Sequence, residues 1–149
     1  MKTKIVLFSA VLFLITTIGF AQKKNEPQSI INGKKVAIKK YYTKEELQGL
    51  QKGELLALYA ERIESLIETL PYIAFATKPG ITMSSLGIPN DAGNIKVLDT
   101  KYNSTAVFLK SINEFYGKIL PYSDSNKLIT AIIYYEDILK SLHQYSEFN

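Results

Sequence analysis

The side chains best suited to chemistry are few and scattered along the chain. His143 is the single histidine, and cysteine is absent. A Ser-His-Asp triad or a histidine metal site would therefore have to be built on His143 alone. That residue falls near the end of a helical period, beside its apolar seam, where a cation interacts favourably with a helix C-terminus. A di-iron carboxylate bundle needs Glu-x-x-His on two helices, so one histidine excludes it. Without cysteine there are no disulfides, thiolate metal sites, iron–sulfur clusters, covalently attached haem groups or thiol nucleophiles.

Glu54, Glu61 and Glu68 recur every seventh residue with Glu64 beside them, a stripe that could offer oxygen ligands to a hard cation or an acid/base pair. The stripe lies away from the Leu56, Tyr59, Ile63, Leu66 seam and has Arg62 nearby, which is the pattern of a solvated helix face. Gly80, Gly87 and Gly93 are too far apart, and too close to prolines, to cradle a phosphate. No catalytic, metal or cofactor-binding residue is assigned, and no cofactor is expected. The most distinctive local feature is basic and aromatic: Lys34, Lys35, Lys39 and Lys40 followed by Tyr41 and Tyr42. Such residues can meet phosphates, bases or anionic headgroups. They are read as a basic arm whose partner is a protein or an envelope surface, and not nucleic acid.

The elements that must carry these residues read mainly as helices. Thr43-Lys44-Glu45-Glu46 fits a capping box, and an apolar period from Leu47 to Leu70 predicts one amphipathic helix, weakened at Gly49 and Gly53 and stopped by Pro71. A second period from Ile95 to Ile119 stops at Pro121, and a third, including Leu128, Ile132, Tyr135, Leu139 and Leu142, starts after Ser123-Asp124-Ser125. Leu-Pro-Tyr closes both of the first two helices, at residues 70–72 and 120–122. The segment from 71 to 94 is too apolar for a solvated loop, so short helices are expected near 72–77 and 82–87. Asn32-Gly33 between β-prone runs suggests a small hairpin over residues 30–38. The fold class is all-α: an antiparallel bundle of three long helices over residues 43–149 with a short helical cap, preceded by a basic leader over 22–42.

Residues 1–21 have a lysine-bearing head, an apolar run from Ile5 to Phe20 and a small-residue end at Ala21, which is the form of a cleavable secretory signal. Cleavage after Ala21 is expected to leave no retained transmembrane helix, and with no cysteine the product is not a lipoprotein. Loss of Lys2 and Lys4 halves the net charge of +4. The remainder is uneven: residues 22–53 hold eight lysines against Glu26, Glu45 and Glu46, and the body that follows is mildly acidic. The chain thus reads as an exported, periplasmic or secreted, non-enzymatic interaction or accessory protein of a bacterial envelope, of open oligomeric state. The alternative is a small-ligand binder, or a hydrolase, with its site under residues 72–91, where Ser84, Ser85, Asn90 and Asp91 lie among apolar side chains.

Overall fold

The computed structural model describes residues 27–33 and 36–145. The signal expected over 1–21 and Lys34 and Lys35 of the basic run lie outside the described residues, as do the side chains of His143 and Tyr145.

The described chain is predominantly helical, with no named strands. The first helix, α1 (Lys44–Gln48), opens with the expected box: the Glu46 amide donates to Thr43 Oγ1 at 3.2 Å, and the Thr43 amide donates to Glu46 Oε2 at 2.8 Å. Where the period predicted one continuous helix, the chain breaks after Gln48. Gly49 closes α1, and Gln51-x-x-Glu54 starts α2 (Lys52–Thr69), with the Gln51 amide donating to Glu54 Oε2 at 2.8 Å. A second start signal beside a glycine outweighs continuation of the period.

Helix α2 stops at the Leu70–Tyr72 3-10 turn, as α3 (Ala92–Ile119) stops at Leu120–Tyr122. In each, proline cannot donate the next helical hydrogen bond, so the last turn tightens. The two turns share a form but not a setting: Tyr72 is half-buried, whereas Tyr122 stands in solvent. Asp91 caps α3 by accepting from the Asn94 amide at 2.9 Å. Asp124 Oδ1 does the same for Asn126 and Lys127 at the start of α4 (Ser125–Tyr145).

The short helices expected near 72–77 and 82–87 shrink to 3-10 turns at Leu70–Tyr72 and Ser84–Leu86, the second ended by Gly87 at φ 73°. The expected hairpin is not seen among the described residues. Ser29 instead bridges Thr82, and the Ile30 amide donates to the Ile81 carbonyl at 2.8 Å. Ile30 and Ile31 are buried. A lone hairpin would have left them open to water, and pairing with the 81–82 segment covers them.

Two apolar centres result. Leu47, Leu55, Leu128, Ile129 and Ile132 join α1, α2 and α4, while Ile30, Met83 and Leu98 join the amino-terminal segment, the 71–91 connection and α3. Helix–helix contact is uneven. Helix α2 packs along α4, but α3 buries only Leu98, Thr105 and Leu109 fully.

Two outcomes follow for stability. Ile132 is fully enclosed, so Ile132→Ala removes buried methyl groups and leaves a cavity; urea unfolding is expected to show a loss of about 3 kcal/mol. Tyr102 donates its hydroxyl proton to the Ser29 carbonyl, and burial, reinforced by Tyr72, Glu68 and Asp99, raises its pKa from 10.0 to about 12. The folded state holds that proton longer than the unfolded chain does. The stabilisation is therefore complete below pH 10.0 and is lost as pH rises toward about 12. Urea unfolding over that window is expected to show falling stability, with a shallower fall in Tyr102→Phe.

Candidate interaction surfaces

Lys40 and Tyr42 of the basic run reach the helices through their backbone. Arg62, on α2, donates from Nε at 3.0 Å and from Nη2 at 2.7 Å to Glu136 Oε1, on α4. Both are buried, with Arg62 1% and Glu136 0% exposed. The pair makes further hydrogen bonds to its neighbours. Arg62 Nη2 also donates to the Lys40 carbonyl at 2.6 Å, Arg62 Nη1 donates to Glu61 Oε2 at 2.5 Å, and Glu136 Oε2 accepts from the Tyr42 amide at 2.9 Å. Further along the strap, Ser65 Oγ donates to the Val36 carbonyl at 3.3 Å. Residues 36–42 thus lie across α2 and α4 as an extended strap whose backbone completes the hydrogen bonding of a buried ion pair.

The strap's side chains have partners of their own. Lys40 Nζ pairs with Glu46 Oε1 at 2.8 Å and sits 4.6 Å from the centre of the Tyr42 ring. The hydrogen bond with Glu46 raises the Lys40 pKa, and the same bond, helped by the Thr43 amide, lowers that of Glu46. Lys140 Nζ lies 5.2 Å from the Tyr41 ring centre, and burial raises the Tyr41 pKa. Lys39 is exposed. Of the six residues singled out by sequence, Lys40, Tyr41 and Tyr42 are brought together at the strap, and Lys39 precedes them on the surface.

The carboxylate stripe of α2 is not a uniformly solvated face. Glu54 caps the helix start, Glu61 is bound by Arg62, and Glu68 is buried at one end. The correction has a physical cause: the strap covers the flank of α2 that the apolar period leaves polar. Among the described residues no group of three or more histidine, aspartate or glutamate side chains converges to hold a metal ion.

The polar residues of the 71–91 segment serve the local backbone. Thr82 and Ser85 bond each other reciprocally, at 3.0 and 3.2 Å, and Asp91 caps α3. Beneath them lies the apolar centre of Ile30, Met83 and Leu98. An open groove of about 690 Å³ sits instead between Ile73 and Ala74 on one side and Tyr134, Ile138 and Leu142 of α4 on the other.

A surface absent from the sequence reading runs along α3. Val97, Val107, Phe108, Phe115, Ile119 and Tyr122 are all half or more exposed, with Val107 at 71%, Phe108 at 52%, Phe115 at 57% and Tyr122 at 88%. Val97, Phe108, Phe115 and Ile119 form a second apolar stripe on α3, roughly a quarter-turn from the buried Leu98, Thr105 and Leu109 and continued by Tyr122 in the turn that follows, whereas Val107 stands on the face opposite the buried seam. Its signal was available in the sequence, since Phe108, Phe115 and Tyr122 are spaced by sevens. Beside it, Ile67, Leu70 and Pro71 border a depression of about 480 Å³ that reaches Ser104 and Phe108.

No family model, curated protein or solved structure matches the chain. Among the described residues, no helix is long and apolar enough to cross a membrane.

Removing one member of a buried ion pair leaves the other charge unpaired. Arg62→Met is therefore expected to cost about 3–5 kcal/mol in urea unfolding. Arg62→Met combined with Glu136→Leu is expected to recover most of that loss but not all, because the Tyr42 amide and the Lys40 carbonyl lose their partners.

Proposed function

We propose that the chain is an exported, non-enzymatic interaction protein of a bacterial cell envelope, working through the exposed apolar face of α3. The three long helices are taken as an up-down-up, antiparallel bundle, a reading supported by the contacts of α2 with α3 between Lys52 and Pro121 and between Tyr59 and Tyr116. The observation that carries the function is the α3 stripe. Water contact with several large apolar side chains on one helix face is unfavourable, and contiguous patches beyond a few hundred Å² mark interaction surfaces. Export rests on the form of residues 1–21, and the basic run with Lys39 adds a charge suited to an anionic envelope surface.

A small-ligand reading is favoured by one observation, the groove between Ile73 and Ile138, whose volume falls in the usual range for ligand sites. Its lining is mainly apolar, and Ser141 Oγ is turned to the Asp137 carbonyl at 2.7 Å, so the partner reading stands first.

The chain has no cysteine, so one introduced thiol reports one position. With Val97→Cys and, as an exposed control on α4, Asn126→Cys, maleimide labelling in intact envelope fractions is expected to be about tenfold slower at 97 than at 126. Urea treatment is expected to equalise the two rates. Equal labelling before urea would contradict a partner on α3.

A further inference from the structure

Resting on that reading of α3, we infer that the partner is a second copy of this chain, paired antiparallel through the same face. Along the centre of the stripe the residues alternate in size: Ser104, Phe108, Ser111 and Phe115 are small and large by turns, with Val97 and Lys101 before them and Lys118 and Tyr122 after them. An antiparallel two-fold placed between Leu109 and Lys110 sets Phe108 opposite Ser111 of the copy, Phe115 opposite Ser104, and Tyr122 opposite Val97. Each bulky side chain thus faces a smaller one, as knobs entering holes do. Parallel pairing would set Phe108 and Phe115 against themselves and the two serines against themselves, leaving alternate crowding and gaps.

A second feature fits the same register. The depression of about 480 Å³ beside Ser104, bordered by Ile67, Leu70 and Pro71, lies where the copy's Phe115 ring would enter. Area points the same way. The three aromatic side chains alone leave roughly 400 Å² open, given that such residues bury 150–250 Å² each. With Val97 and Ile119 added, the apolar area comes to roughly 600 Å² per partner, the lower end of a standard interface. Lys101 and Lys118 fall at the same level in this register, on opposite edges of the stripe, where both are exposed and their stems reach water. Two-fold pairing through one self-complementary patch is the commonest form of assembly.

The register makes a geometric distinction. At 1.5 Å per residue, the two Ser111 positions lie about 4.5 Å apart along the axis, whereas the two Tyr122 positions lie about 37 Å apart. The full-length chain is expressed and the protein purified at micromolar concentration, and its mass is measured by light scattering. Ser111→Cys and Tyr122→Cys are each treated with a short bis-maleimide. A mass twice that of the chain, cross-linking at 111 and none at 122, and a monomeric but folded Phe115→Glu are expected. Cross-linking at both positions, a dimer unaffected by Phe115→Glu, or a monomeric unsubstituted protein would overturn the inference. A monomer whose position 97 remains protected in envelope fractions would overturn self-pairing alone and leave the interaction reading of α3 standing.

Discussion

The buried contact between Arg62 and Glu136 is the constraint on which the rest of the fold depends. Two charges withdrawn from water cost several kcal/mol each unless their hydrogen-bonding capacity is met. Here it is met from three elements at once: α2 supplies the guanidinium, α4 the carboxylate, and the strap the Lys40 carbonyl and the Tyr42 amide. A slip of α2 against α4 by one turn would strand both charges. The pair therefore fixes the register of the best-packed helix pair and, through it, the course of the chain entering α1. The adjoining Leu55, Leu128 and Ile132 contacts supply non-directional burial that the pair makes specific.

One flank of the helices is consequently closed and the other open. The strap covers the polar side of α2, and the paired charges beneath it are buried and engaged with each other and with the strap backbone. On α3, by contrast, the chain supplies no cover for Phe108, Phe115 or Tyr122 among the described residues. A helix of this length that buries one narrow seam is held mainly from one side. The functional proposal and the pairing inference both follow from that asymmetry.

Local determinants were legible in the sequence, and long-range ones were not. Thr43, Pro71, Pro121 and Asp124 act on backbone within a few residues, so the stops and starts they encode appear where their spacing places them. Gly49 and Gln51 are equally local, yet their signal was subordinate to an apolar period that ran across them. The Asn32-Gly33 turn signal yielded to Ile81, fifty-one residues from Ile30, because covering two isoleucines outweighs a turn preference. Arg62 and Glu136 are separated by 74 positions, and each looks like an ordinary surface charge on its own helix. Of the basic run, the sequence disclosed its composition but not that its backbone, and not only its charge, makes the decisive contact. The α3 stripe was readable as spacing, but only solvent exposure separates it from the core seam beside it.

The most direct test of this account is amide exchange at Tyr42, followed by NMR on the purified protein. The Tyr42 N–H points at a carboxylate that is itself buried and paired, so it can exchange only when the strap leaves α2 and α4. Protection approaching that of the α2 core amides, lost in Glu136→Gln while those amides remain protected, is the expected result. Exchange at Tyr42 as fast as at exposed Lys39 in the unsubstituted protein would contradict it.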